Sequence, residues 1–282
     1  MDSIYPCELT TDTDGKPLAK IKSPGFNPYD IDRSKFIPEW SLERLMTANR
    51  LRALYSGDFL DWNKVMQGKM VFFVGKRTEI ARNFYNRDLL IGPLMSEVKL
   101  GYVGKSSYNT INTLSHAETG QQIASEVSQL VLIDPKVRKP VPLPGWWVDK
   151  YASFTAGGKS MRVEILVKPK SSFIHQTKVR HSDMDGYGHT NFASYVQFSL
   201  NAAACATADG HFKGFQNDIV NYPMKSSEMT FKGESTAEDI LNVATWEDSN
   251  NQKIIHCQIY KATDLIYQQT MTFYDSFLKN NS

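Results

Sequence analysis

Hydrophobic and polar positions along the chain follow two different rhythms. From residue 191 the sequence reads NFASYVQFSLNAAACATA, apolar or small almost throughout, with no proline or glycine before Gly210. Strong helix formers such as Ala202, Ala203 and Ala204 predict a helix there, too apolar to lie on a surface. It is entered through a polar turn, DMDGYGHT at 183–190, in which Gly186 and Gly188 allow tight backbone geometry. A second helical stretch is expected over 38–57, with Pro38 suited to a first turn and Gly57 to the position after the last. Elsewhere β-branched and aromatic residues alternate with polar ones. In the first half this predicts strands at 71–74, 96–104, 108–114 and 121–133, and in the second at 161–167, 227–232, 239–246, 253–260 and 265–274, with an extended run at 173–180. Residues 1–25, polar and rich in Thr, Asp, Lys and Pro, are expected to form a loose arm.

The order of a helix followed by strands thus occurs twice. Between the two halves lies PKVRKPVPLPGWWVDK at 135–150, whose four prolines and Gly145 argue against continuous helix or sheet. The expected division is a first domain with its arm at 1–134, a linker at 135–150 and a second domain at 151–282. An antiparallel sheet with its helix on one face is the simplest layering for each, giving an α+β class. The helix entries also align without gaps at an offset of 153 (183 − 30): Asp30 on Asp183, Asp32 on Asp185, Ser41 on Ser194, Ala53 on Ala206 and Gly57 on Gly210. In the first copy Arg33 and Lys35 replace both glycines, Phe36 stands at the position of His189, and Pro38 at that of Asn191. A slightly altered offset sets Asn83 opposite Glu234. Two related units are expected, only the second of them catalytic.

Composition narrows the class. At 41% hydrophobic and 22% charged, with a net charge of +2, the chain has no electrostatic case for nucleic acid or an anionic membrane as main partner. Three cysteines without a C-x-x-C pair argue against a disulfide framework and fit a reducing compartment. Neither a signal-like apolar segment nor a run of eighteen apolar residues occurs, so a cytoplasmic protein without a membrane span is expected.

The turn at 183–191 gathers the chemistry. A helix N-terminus offers N–H groups and a partial positive charge, suited to a developing oxyanion. Asp185, a carboxylate beside an apolar helix, is the candidate base or nucleophile, whereas Asp183 reads as a cap. His189 is a candidate to shuttle protons or orient substrate. The backbone N–H groups of Gly188 and His189 are the expected oxyanion donors. Asn191 suits both a cap and a carbonyl donor. Small residues such as Ala203 and Ala206 are expected to leave room for an apolar tail. His175, His181 and His189 match no metal-ligand spacing, and neither a P-loop nor a G-x-S-x-G elbow occurs, so neither metal nor cofactor is expected.

The pattern D-x-D-x-x-G-H-x-N over Asp183 to Asn191, followed by Tyr195, resembles the hotdog-fold acyl thioesterases, both the 4-hydroxybenzoyl-CoA thioesterase group and the plant-type acyl-ACP thioesterases. The resemblance implies a double hotdog, two tandem domains each with a long central helix wrapped by a curved antiparallel sheet. It further implies hydrolysis of an acyl-CoA or acyl-carrier-protein thioester, by a monomer with an internal pseudo-dimer or a homodimer of it. Phe231-Lys232-Gly233-Glu234-Ser235 falls where the acyl-ACP enzymes carry a further catalytic glutamate, which makes Glu234 a candidate beside the reading of an exposed strand-end residue. Tyr187 and Tyr195 are expected to line the substrate site. Tyr187 stands where the plant-type motif has asparagine, which sets the motif nearer the CoA enzymes. The alternatives are a hotdog dehydratase or hydratase on acyl thioesters, and a catalytically silent acyl- or small-molecule-binding protein.

Overall fold

The computed structural model describes residues 7–86, 92–155 and 158–276. Two compact units emerge: Met1–Asp30 with Arg44–Arg162, and Ile31–Glu43 with Val163–Ser282.

The first unit contains β1 (Cys7–Thr11), β2 (Pro17–Ser23), the C-terminal part of α1 (Glu39–Leu51), α2 (Trp62–Val65), β3 (Met70–Ile80), β4 (Leu94–Val103), β5 (Ser107–His116), β6 (Gln122–Asp134), β7 (Lys139–Pro140) and α3 (Gly145–Tyr151). Its strands pair antiparallel in the order β1-β2-β4-β5-β6-β3, with β7 on β6. Strict alternation in β4 sends Leu94, Ser96, Val98 and Leu100 inward. The face under α1 is identified by Asn112, whose Nδ2 donates to the Met46 carbonyl at 2.9 Å. That face is unusually polar. Lys76 and Glu126, both fully buried, pair at 2.9 Å; Lys76 Nζ also donates to Thr47 Oγ1 and Ser128 Oγ to Glu126 Oε1.

The second unit contains residues 31–43, β8 (Phe173–Lys178), α4 (Phe192–Ala208), β9 (Met224–Phe231), β10 (Ile240–Glu247), β11 (Ile254–Lys261) and β12 (Asp264–Phe273). Its antiparallel order is β9-β12-β11-β10-β8. The helix α4 packs on β8, β10 and β11, so Ile255, Cys257 and Ile259 of β11 are buried beneath it, with Cys257 Sγ donating to the Ser199 carbonyl. Segment 31–43 is fastened within this unit by Arg33, whose Nε and Nη2 donate to both Asp218 oxygens at 2.7 and 2.8 Å. Among the described residues no helix is long and apolar enough to cross a membrane.

Three expectations differ from what is found. Residues 1–6 of the expected arm lie outside the described residues, but from Cys7 on it is not loose: β1 and β2 pair as a hairpin whose turn is closed by Asp12, accepting N–H from Asp14 and Lys16, with Gly15 at φ 75°. An edge hairpin exposes one face, so its sequence reads as polar although the Asp14-Gly15 pair is a turn signal. Within 135–150, Pro144 ends the irregular run and a short helix follows from Gly145, held by Trp147 Nε1 donating to the Leu60 carbonyl at 2.7 Å. Finally, 161–167 belongs to no strand. Its backbone is met by side-chain amides instead of a neighbouring strand. In the first unit Asn109 donates to the Lys159 carbonyl, and Gln129 accepts from Met161 N. In the second, Gln258 and Gln268 donate to the carbonyls of Leu166 and Glu164, and Gln268 accepts from Leu166 N.

The buried pair gives a stability test. Removing one partner strands the other charge in the interior, so Lys76→Met should lower the unfolding free energy by about 3–5 kcal/mol in urea titrations. The double replacement Lys76→Met with Glu126→Leu should lose much less.

Candidate active site

The turn before α4 is closed by its own aspartate. Asp185 N donates to the His189 carbonyl at 2.8 Å, and Gly188 N to the Asp185 carbonyl at 3.1 Å. Asp185 Oδ1 then accepts from Tyr187 N at 2.9 Å and from His189 N at 3.2 Å. Gly188 sits at φ 78°, where a side chain would be strained. One carboxylate oxygen is thereby committed to the backbone, while Oδ2 makes no hydrogen bond among the described residues.

Asp183 holds the preceding bend: its Oδ2 accepts from Arg180 N, and its carbonyl from Asn191 N. Asn191 caps α4 with Oδ1, accepting from Ala193 N at 2.9 Å. Because the oxygen must face that N–H, the amide's orientation is fixed and Nδ2 is turned to donate elsewhere.

A hydroxyl knot joins this turn to the segment after β9. Thr190 Oγ1 lies 2.7 Å from Ser235 Oγ, and Thr190 N donates to the Ser235 carbonyl. Tyr195 OH lies 2.9 Å from Ser235 Oγ and accepts from Ser235 N at 3.0 Å. Gly233 comes so close to Ile266 that a Cβ there would lie 2.8 Å from its Cγ2. So constrained, Glu234 brings Oε2 to 3.2 Å from His189 Nε2, with the two side chains only 35% and 22% exposed. Burial pushes the Tyr195 phenol up, against the hydrogen bonds from Ser235, so it stays a neutral O–H.

Asp185, His189, Asn191 and Glu234 therefore lie on one turn and the segment tied to it. Other expected members fall elsewhere. The N–H groups of Gly188 and His189 are already donating to Asp185, so neither is free for an oxyanion in this geometry. Tyr195 is 3% exposed and stacked on Tyr267 at 5.2 Å, as part of the core beneath the turn. Ala203 and Ala206 are fully buried on α4. Tyr187, 58% exposed, stands at the mouth of the turn. Thr190 and Ser235 were not singled out from sequence, although each directly follows a candidate, His189 or Glu234. Among the described residues no group of three or more His, Cys, Asp or Glu side chains is arranged to hold a metal ion.

The first copy of the turn repeats this backbone position by position at the offset of 153. Asp32 N donates to the Phe36 carbonyl, Lys35 N to the Asp32 carbonyl, and Ser34 N to Asp32 Oδ1. Lys35 takes φ 67° where Gly188 has 78°. Asp30 Oδ2 accepts from Asn27 N as Asp183 Oδ2 does from Arg180 N.

No family model matches the chain, and no curated protein sequence does. Solved structures do. An acyl-ACP thioesterase from Bacteroides thetaiotaomicron superposes with a TM-score of 0.68 at 14% identity, over 91% of this chain and 98% of that one. The 12:0-ACP thioesterase from Umbellularia californica gives 0.68 at 12% identity, over 91% and 97%. A Lactobacillus plantarum chain provisionally named an oleoyl thioesterase gives 0.70 at 13%, over 93% and 97%. The fold is that of the hotdog acyl thioesterases. Identity this low carries the architecture and leaves the site to be argued from its own residues.

If the knot positions the turn, Ser235→Ala should remove the hydroxyl that Thr190 Oγ1 and Tyr195 OH share, leaving Thr190 Oγ1 only the Ser235 carbonyl and Tyr195 OH only the Ser235 N–H among these bonds. The expected loss is about 1–3 kcal/mol in urea unfolding. Asn191→Ala should cost about 1 kcal/mol through the lost cap.

Proposed function

We propose that the chain is an acyl thioesterase, hydrolysing the thioester of an acyl-CoA or acyl-carrier-protein to the free acid at the turn before α4. The observation that carries the reading is the division of labour on Asp185. One oxygen locks the turn and the other is left open, beside His189 with Glu234 at 3.2 Å. In this reading Asp185 Oδ2 accepts a proton from water or attacks the thioester carbonyl directly. Asn191 Nδ2, oriented by the cap, supplies the hydrogen bond to the developing oxyanion. The His189–Glu234 pair orients the nucleophile and delivers the proton to the leaving thiolate. Similarity of fold to acyl-ACP thioesterases supports the substrate class.

The tandem form of the hotdog is part of the same proposal and is supported by the repeated turn. In the first copy Asp32 keeps the closing bonds, but Phe36 cannot move a proton and Pro38 has no side-chain amide. That copy is structural.

Steady-state assays across acyl-CoA chain lengths, with free CoA and double-bond absorbance followed separately, test the reaction. Free CoA without a new double-bond signal is expected; a double-bond change without CoA release would make the protein a hydratase or dehydratase. Asp185→Asn should lower kcat/KM toward the upper end of roughly 10²–10⁴-fold and Glu234→Gln toward the lower end. Asp32→Asn should leave turnover nearly unchanged. Equal losses from Asp32→Asn and Asp185→Asn in folded variants would overturn the single-site reading.

A further inference from the structure

The first unit holds a cation that nothing in the described residues neutralises. Arg50 of α1 is 1% exposed, its Nε and Nη1 have no hydrogen-bond partner, and no carboxylate lies within ion-pair distance among the described residues. Its guanidinium lies over the Phe73 ring at 4.8 Å. An unpaired buried charge is among the costliest features a fold can carry. The internal alignment makes this one pointed, since Arg50 occupies the position that Ala203 holds in α4.

What surrounds Arg50 is also short of partners. Tyr108 and Thr110 alternate with Asn112 along one face of β5, the face under α1, and Arg50 follows Met46 by one helical turn on the stripe facing it. The hydroxyls of Tyr108 and Thr110 are buried and unbonded, as is Trp62 Nε1, whose ring lies 5.0 Å from that of Tyr108. Burial pushes the Tyr108 phenol up while the nearby Arg50 charge works against it, so the phenol remains a donor. Guanidinium N–H, two hydroxyls and an indole N–H make this part of the first unit rich in unsatisfied donors and singly positive. Asn112 Oδ1 is a buried, unbonded amide oxygen on the same face. The other cation of this layer, Lys76, already has Glu126.

We propose that these donors, with Arg50 at their centre, bind the carboxylate of a small organic acid. A carboxylate is acceptor-only and carries the single charge the site lacks, and its two oxygens suit the Arg fork. Trp62 and Tyr108 also belong to the buried apolar cluster of this unit, with Leu100, Leu130 and Trp147, and such surroundings favour a hydrocarbon-bearing acid over a hydrated inorganic anion. The inference does not depend on thioester hydrolysis.

Isothermal titration calorimetry with acetate, butyrate and octanoate, and with inorganic phosphate as control, tests it on the full chain. Saturable binding that strengthens from acetate to octanoate and exceeds that of phosphate is expected. Arg50→Leu should abolish it, and Tyr108→Phe should weaken it roughly 10- to 100-fold. If Arg50→Leu does not fold, Tyr108→Phe and Thr110→Val decide, since both keep the guanidinium; unchanged octanoate affinity in both overturns the proposal. So does the absence of binding by any of the three acids. Binding that survives Arg50→Leu but is lost in Asp185→Asn would put the acid at the turn before α4 and likewise overturn it.

Discussion

An aspartate that accepts the N–H two residues ahead, while its own N–H reaches the carbonyl four ahead, is the constraint on which both helix entries depend. At Asp185 and again at Asp32 the same three bonds close a loop of the same size and force one residue into the left-handed region. Glycine meets that requirement without strain at position 188, and Lys35 meets it against its preference. The helix direction, the cap by Asn191 and the presentation of His189 all follow from this closure. The carboxylate is thus a structural part first, and whatever chemistry it performs is left to the oxygen the backbone does not use.

Placement of Glu234 rests on hydroxyls instead of charge. Thr190, Tyr195 and Ser235 are buried, satisfy one another, and bring a strand-end carboxylate to an imidazole from a different element. A network of this kind is rigid because each member has few alternative partners. It also explains why a core tyrosine belongs to the motif: Tyr195 braces the turn from beneath.

Much of this could be read from the chain, and the remainder failed for identifiable reasons. The helix at 192–208, the strands β4 to β6 and β9 to β12, and the register of the two aspartate turns carry local signals: periodicity, glycine, and D-x-D spacing. The hairpin at the N-terminus was hidden because an edge strand with one wet face looks like a polar tail. The burial of Tyr195 is not legible from the motif, since a motif position does not say which way a ring points. Commitment of the Gly188 and His189 N–H groups to Asp185 is likewise a property of closed geometry, invisible to spacing. Thr190 and Ser235 meet only in the fold, 45 residues apart, and a lone hydroxyl in sequence announces nothing.

The amide-held segment near 159–166 has a consequence of another kind. Its path is fixed through backbone atoms, so the letters written along it are nearly free to drift, and the restraint is displaced onto Asn109, Gln129, Gln258 and Gln268. Most of these side chains serve as hooks for N–H or C=O groups that would otherwise go unpaired, and Gln268 serves both at once. A carboxylate in place of an amide would still accept but could no longer donate. The fastening is therefore one that chemical ageing can undo: deamidation of Asn109, Gln258 or Gln268 would turn an attraction to a carbonyl into the repulsion of two oxygens, with no change in the shape of the side chain.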